Sequence, residues 1–314
     1  MRIEIRPIQT HDEYRATERI QRVVWGHGDL DVVPDHLLIT MQKNGGLVLG
    51  AFEVLPEEGP GERPAKRKER LIGCALGFVG LSSGGQVKHC SHTVGVDPAY
   101  QNQNVGYRLK LAQREHVLAQ GIDLITWTFD PLESRNARLN FHKLGATCNT
   151  YLRDLYGHMR DELNVGLPSD RFQVDWHIAS DHVAGRLRGD RAGPSTGLRT
   201  GPSTEFTPSN AEGLSTGPSL SALLAEGVPL LNRTLPGDLP RPPQTPLPIQ
   251  GDRLLVQIPA RFQAIKSADL GLARAWREHT RALFEAAFAA GYTVVDLLFE
   301  EGRSCYLLNF CQIR

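Results

Sequence analysis

The residues best suited to bind a phosphate group lie between a predicted strand and a predicted helix. The segment VDPAYQNQNVGY occupies positions 96–107 and contains Asn104, which tolerates a left-handed backbone, and Gly106, which has no side chain. Backbone N–H groups at the start of a helix carry partial positive charge and can converge on one anion. This loop therefore predicts a pyrophosphate site.

Side chains that could transfer protons flank this loop. His92 precedes it on the same predicted strand, and the ordinary pKa of histidine suits a general base, although a purely structural hydrogen bond is the alternative. Asp130 and Arg135 follow the next predicted strand and are candidate contacts of a substrate, and the alternatives are a turn residue and a solvated charge. His89 and His92 could instead bind a metal, but spacing offers no third ligand, so no metal is predicted.

Hydrophobic periodicity predicts the elements that must position these residues. Strands are predicted at 3–7, 46–54, 71–81, from 87 to 96, and at 122–129, 151–156 and 172–178, with helices at 12–25, 106–120 and 135–144. The order predicts an α/β (α+β) unit with a mostly antiparallel start and a β-α-β centre.

Changes in composition predict three regions. Residues 1–185 form the first domain, and 186–251, rich in Gly, Pro, Ser and Thr, predicts a flexible insertion or linker, in which only the apolar stretch 220–231 could dock. Residues 252–314 predict a β-α-β-β extension with an amphipathic helix. Because its own core is small, we expect it to pack on the first domain.

Overall composition excludes several classes of partner. The 35 Lys and Arg residues balance 35 Asp and Glu residues, so no net charge attracts nucleic acid or an acidic membrane. Five scattered cysteines without a C-x-x-C pair, and the absence of a signal peptide or long apolar run, predict a cytoplasmic protein with reduced thiols. A small-molecule partner is the default, and the oligomeric state stays open, a homodimer included.

Two motifs resemble the GNAT acyltransferase family. Its pyrophosphate signature is Gln or Arg, two residues, Gly, one residue, then Gly or Ala, and Gln101, Asn104 and Gly106 occupy those places, with Asn104 replacing the usual Gly. A second motif of Asn, an aromatic and Lys-Leu-Gly is matched by Asn136, Phe141 and 143–145. The resemblance covers roughly residues 2–178. It implies the GNAT fold, a mixed central sheet with flanking helices.

The resemblance also implies an acyl-CoA co-substrate and assigns roles to residues. Many members have a tyrosine at the position of Phe141 to protonate the leaving thiolate, so Tyr151 or water must replace it, or the thiolate leaves unassisted. The implied catalytic residues are His92, Asp130 and Tyr151, and Arg135 is the implied ligand of a substrate carboxylate. The implied cofactor-binding residues are Val94, Val96, Gln101, Asn102, Gln103, Asn104, Val105, Gly106, Tyr107 and Asn136.

The sequence of residues 127–146 is similar to that of one GNAT subgroup, the amino acid N-succinyltransferases encoded beside N-succinylamino acid racemases. This implies transfer of a succinyl group, or else an acetyl group, from CoA to an amino acid or another small amine by direct attack on the thioester. The alternative is a catalytically weak acyl-CoA-binding sensor or scaffold, because Asn104 and Phe141 depart from the family pattern.

Overall fold

A computed structural model of the protein describes residues 2–26, 32–55, 68–157, 165–191, 217–235 and 238–311. The chain divides into two compact units that interleave along the sequence. Unit 1 comprises Met1–Asp130 and Leu152–Ala179, and unit 2 comprises Pro131–Tyr151 and Ser180–Arg314. The sequence suggested other limits, at 185 and 251, and that domain assignment stays a prediction.

The described residues form the following elements. The strands are β1 (Arg2–Pro7), β2 (Leu47–Val54), β3 (Glu69–Leu81), β4 (Val87–Val96), β5 (Leu124–Phe129), β6 (Thr147–Leu152), β7 (Arg171–His177), β8 (Arg253–Ile258), β9 (Tyr292–Glu300) and β10 (Arg303–Phe310). The α-helices are α1 (His11–Trp25), α2 (Asp35–Lys43), α3 (Val105–Ala119), α4 (Ser134–Ala137), α5 (Asp181–Arg191), α6 (Leu220–Ala225), α7 (Phe262–Ala268) and α8 (Leu270–Ala289). A 3₁₀ turn covers Pro98–Tyr100, and a π-helical segment, Arg138–Lys143, continues α4.

Unit 1 is a mixed sheet with helices on both faces. Its strands lie in the order β1-β2-β3-β4-β5-β7, and every neighbouring pair is antiparallel except β4 and β5, which are parallel. Side chains alternate across each strand. One face therefore packs against α1 and α2, and the other against α3. The predicted fold class, a mixed sheet with flanking helices, is confirmed.

Unit 2 holds the strands β6-β9-β10-β8 in that order, with antiparallel neighbours. Leu255, Leu298 and Leu307 pack against Leu220 and Leu223 of α6, so the apolar stretch 220–231 does dock. The predicted C-terminal β-α-β-β order is confirmed by β8, α7 with α8, β9 and β10. Within the described ranges, no helix is long and apolar enough to cross a bilayer.

The sequence interpretation needs correction at α2, at β6 and in the predicted linker. The sequence interpretation missed α2, which buries one residue, Leu38, and so gives almost no periodic signal. The strand predicted at 151–156 is β6, four residues earlier in its start, because 153–156 form a turn. The predicted linker overlaps the end of α5 and contains α6, whereas 192–216, including the first Thr-Gly-Pro-Ser copy, lies outside the described residues.

Candidate functional site

The strands β4 and β5 pair near their N-terminal ends and then diverge. Only His89 with Ile125 and Cys90 with Thr126 are paired between them. β3 holds the other edge of β4, and β7 pairs with β5 along its whole length. Residues 91–96 of β4 therefore face residues 127–129 of β5 across a gap, which we call the interstrand cleft. Its β4 edge offers unpaired backbone groups to an extended ligand.

The loop between β4 and α3 follows a strongly bent path. The Asp97 carboxylate accepts a hydrogen bond from Ala99 N at 2.9 Å and starts the 3₁₀ turn. Asn102 and Asn104 then adopt left-handed backbone, with φ of 66° and 58°. Asn104 immediately precedes α3, and its side chain makes no capping hydrogen bond to the helix. The first-turn N–H groups of a helix have no intrahelical acceptor, so this helix start suits an anion.

Gly106 lies in the first turn of α3 with space beside it. A Cβ atom at this position would find Val96 Cγ2 as its nearest neighbour, at 3.9 Å. Internal packing therefore does not require glycine here. A bare backbone at this position instead leaves room for a group that approaches the helix start from outside.

His92 is the extra residue of a β-bulge. Thr93 pairs with Leu76 and Ser91 with Gly77, so His92 has no opposing residue on β3. Its ring lies 6.3 Å from that of Phe78, between centroids. Phe78 and His92 are on the face away from α3, because a Cβ at the preceding Gly77 would overlap His89 on the α3 side. Part of the His92 side chain is exposed to solvent, and protein atoms surround the rest. The resulting partial desolvation lowers the pKa of His92.

A chain of buried polar groups occupies the α3 face at the narrow end of the cleft. Lys110 Nζ donates to Ser91 Oγ at 3.1 Å and to Gln113 Oε1 at 2.8 Å, and Gln113 Nε2 lies 3.1 Å from His89 Nε2. The ammonium group also lies 3.7 Å from the centroid of the Trp127 ring. Lys110 is only 3% exposed. Burial lowers its pKa well below the usual value.

His89 belongs to this buried chain and not to the cleft. Burial, with the charge of Lys110 and then of His116, lowers the pKa of His89 to about 4. It faces α3, whereas His92 faces the other side of β4, so the two rings cannot bind one metal ion together. Among the described residues, no group of three or more His, Cys, Asp or Glu side chains could hold a metal.

The β5 side of the cleft carries a hydroxyl pair. Thr128 Oγ1 and the Tyr156 hydroxyl lie 2.7 Å apart. Trp127 faces α3, so Thr128, the next residue, faces the opposite side, as His92 does. The Arg171 guanidinium lies 5.6 Å from the centroid of the Tyr156 ring. Sequence reasoning did not identify Tyr156 as a site residue.

The predicted site residues fall into two groups. Unit 1 contains His92, Asp130 and the predicted cofactor residues of the β4 edge and the loop, namely Val94, Val96, Gln101, Asn102, Gln103, Asn104, Val105, Gly106 and Tyr107. Unit 2 contains Arg135, Asn136 and Tyr151, whose roles stay predictions. Phe141 is fully buried in unit 2, where its ring meets Tyr306 edge to face at 5.7 Å. It is a core residue there.

Lys110 was missed because helical periodicity marks apolar positions. Val105, Leu109, Gln113 and Val117 form the buried stripe of α3, and Lys110 lies beside Leu109 on it. A lysine next to an apolar stripe was the available signal. Whether such a lysine extends to solvent or turns inward depends on the strands beneath it, and the sequence does not give their divergence.

No family model matches the sequence, and no curated protein matches it. Among solved structures, the chain is similar to the ribosomal-protein-S18-alanine N-acetyltransferase from Escherichia coli, with 15% identity over 57% of this chain and 96% of that chain, and a TM-score of 0.40. It is similar to yncA from Salmonella typhimurium, solved with its cofactor acetyl-CoA, with 18% identity over 57% of this chain and 95% of that chain, and a TM-score of 0.40. It is also similar to Arabidopsis thaliana NAA60 in complex with a bisubstrate analogue, with 16% identity over 56% of this chain and 97% of that chain, and a TM-score of 0.41. At these identities, the chemistry has to be inferred from the chain's own residues.

Proposed function

We propose that the protein is an acyl-CoA-dependent N-acyltransferase that uses the interstrand cleft. The observation that carries the proposal is that β4 and β5 diverge immediately before the start of α3. Gly106 in the first turn of that helix leaves open space for a ligand. An anion site and an open strand edge are thus adjacent. A ligand with a pyrophosphate at one end and amides along an extended arm matches both features.

The proposed binding mode follows the direction of β4. The pyrophosphate binds the first turn of α3, and the pantetheine arm runs back along residues 96 to 91. Six residues of strand span roughly 20 Å. The arm pairs its amides with the β4 edge, as an added strand would. The thioester then lies beside the bulge that carries His92.

The proposed reaction is direct transfer. His92, kept neutral by its lowered pKa, removes a proton from the acceptor ammonium, and the amine nitrogen attacks the thioester carbon. A backbone N–H near Val94 stabilises the oxyanion while the new C–N bond forms. The C–S bond then breaks, the attacking nitrogen loses its second proton to solvent, and the CoA thiolate takes a proton. We assign that proton to Tyr151, and to the Tyr156 hydroxyl if Tyr151 proves dispensable.

The proposed substrates are succinyl-CoA and the α-amine of an amino acid. The succinyltransferase resemblance around 127–146 motivates this choice, and both substrates carry carboxylates that need cationic partners. Arg135 is the proposed ligand of the acceptor carboxylate, Asn136 a proposed CoA contact, and Asp130 a proposed contact of the acceptor amine. The free cysteines, among them buried Cys74, Cys148 and Cys305, favour a reducing compartment, and we expect the protein in the cytoplasm.

The test is release of CoA thiol from acetyl-CoA and succinyl-CoA with a panel of D- and L-amino acids. Thiol release that depends on both an acyl-CoA and an amine supports the activity. A tenfold preference for acetyl-CoA, or reaction only with amines other than amino acids, contradicts the substrate assignment alone. Tight acyl-CoA binding without any thiol release contradicts the transferase proposal and indicates a binding module.

A further inference from the structure

Lys110 is a buried amine whose described partners are all neutral. Ser91 and Gln113 accept its hydrogen bonds, and the rings of Trp127 and Trp176 lie 3.7 and 5.4 Å from Nζ. Within the described part of the chain, no carboxylate forms an ion pair with it. Burial of an ammonium group without a counter-charge is costly, and aromatic rings compensate only in part. An incoming anion would remove that cost.

Lys110 also lies where an acyl chain would end. Ser91 and Trp127 are the first residues of β4 and β5 beyond the last paired residues, Cys90 and Thr126. Nζ contacts both, so it closes the narrow end of the interstrand cleft. A thioester held near His92 has its CoA arm toward Val96, and its acyl chain therefore extends toward Ser91 and Lys110.

We infer that Lys110 binds the distal carboxylate of a dicarboxylic acyl chain and thereby makes the cleft select such acyl-CoA substrates over neutral ones. Ser91 is the second proposed contact, because its hydroxyl accepts from Lys110 and can donate its own proton to the same carboxylate. The inference rests on the proposed function. It assigns acyl selectivity to one lysine of α3 and its serine neighbour on β4.

The surroundings of Lys110 make it the group that responds to this anion. On β4, His89 has a pKa of about 4 and is neutral near pH 7. On α3, burial also lowers the pKa of His116. The β5 and β7 side chains that face Nζ are the two tryptophans. A bound carboxylate would favour the charged amine and raise the lowered pKa of Lys110, so binding should take up protons.

The first test compares succinyl-CoA with butyryl-CoA, which has the same acyl length and no carboxylate. Lys110→Met should lower kcat/KM for succinyl-CoA by at least tenfold and leave that for butyryl-CoA unchanged or higher. Retained butyryl transfer shows that the variant is folded. Lys88→Met, a partly exposed lysine on β4, is the matched control and should change neither value. An equal succinyl-to-butyryl ratio in the parent protein and Lys110→Met overturns the inference.

The second test does not require turnover. Titration calorimetry of each acyl-CoA without an amine, in two buffers of different ionisation enthalpy, measures the protons taken up on binding. We expect succinyl-CoA to take up more protons than butyryl-CoA in the parent protein, and the two ligands to take up equal amounts in Lys110→Met. Equal uptake for both ligands in the parent protein overturns the inference. If no acyl transfer occurs with any amine, the proposed function fails while this measurement still decides the role of Lys110.

Discussion

At the scale of the residue, the bulge on β4 leaves His92 without an opposing residue on β3. Alternation from His89 and Ser91, which face α3, puts His92 on the opposite face, and the bulge removes the partner that a regular strand would give it. The ring lies on the face away from α3, as does Thr128 of β5, whose hydroxyl contacts the hydroxyl of Tyr156. This face therefore presents an imidazole on β4 and a pair of hydroxyls beside β5 to the proposed acceptor.

His92→Gln should remove the acid limb of the pH profile. Partial desolvation lowers the pKa of His92 from 6.5, so the neutral base persists to lower pH than an ordinary histidine would allow. We expect kcat/KM of the parent protein to fall with decreasing pH at an apparent pKa below 6.5. The variant should lose about 10²-fold or more in kcat/KM. A variant that keeps the same acid limb shows that another group is the base.

Gly106→Val should weaken CoA binding without unfolding the protein. The nearest internal atom to a Cβ there is 3.9 Å away, so the fold can accept a side chain, and valine suits a helix better than glycine does. The added methyl groups would occupy the approach to the first turn of α3. We expect a loss of more than tenfold in CoA affinity, about 1.4 kcal/mol, by calorimetry, with an unchanged melting temperature. Unchanged affinity would move the pyrophosphate site elsewhere.

Residue patterns predicted the loop better than the groups around it. The loop 96–107 was predicted because left-handed asparagines, glycine and a following helix are local properties of the chain. Lys110 and Tyr156 were not, because their importance arises where two strands part and where a distant turn returns to β5. Contacts between segments that are distant in the sequence cannot be predicted from the spacing of residues along it.

At the scale of the element, Asp296 joins three elements of unit 2. This carboxylate on β9 is 1% exposed, accepts from Arg186 Nη2 of α5 at 2.6 Å and lies 3.1 Å from His142 Nδ1 in the π-helical segment. Burial alone would raise its pKa, but the His142 hydrogen bond and the Arg186 charge lower it overall. The ion pair is therefore a stabilising contact between these elements.

Asp296→Asn should lower the free energy of unfolding by about 3 kcal/mol near pH 7, because it leaves the largely covered Arg186 guanidinium without its anion. The folded pKa is below the ordinary 3.8, so this contribution is complete above 3.8 and is lost as pH falls through the folded value. The difference between variant and parent in urea unfolding should thus shrink on acidification. Glu226→Gln, which breaks an exposed pair with Arg253, is the control and should cost at most about 1 kcal/mol. Equal costs for the two variants contradict this prediction.

Predicted elements succeeded where periodicity was strong. α8 buries one continuous stripe that includes Leu272, Trp276, Leu283 and Phe284, so sequence alone predicted it. α2 buries a single leucine and was missed. The π-helical segment 138–143, in which Asn140 and Phe141 are buried, was predicted only as ordinary helix, because its apolar spacing does not distinguish the two forms.

At the scale of the whole molecule, the composition of 192–216 predicts a dispensable segment. It is rich in Gly, Pro, Ser and Thr and lies outside the described residues. Removal of 196–212 should leave the melting temperature and CoA affinity unchanged. The control removes 220–225, the α6 helix whose leucines are buried, and should lower the melting temperature. Insoluble protein after the first deletion would show that the segment contributes to folding.

The interleaving of the two units has a consequence during synthesis on the ribosome. All of unit 1 has been synthesised once Ala179 is added. The segment Pro131–Tyr151, which is synthesised before that point, belongs to unit 2. Its Ser134 hydroxyl bonds Ser304, 170 residues later, and the Pro131 carbonyl accepts from Tyr306, 175 residues later. At translation rates of about 5–20 residues per second, Phe141 and its neighbours wait many seconds for their partners. The nascent chain therefore exposes an apolar segment for longer than a sequentially arranged protein would.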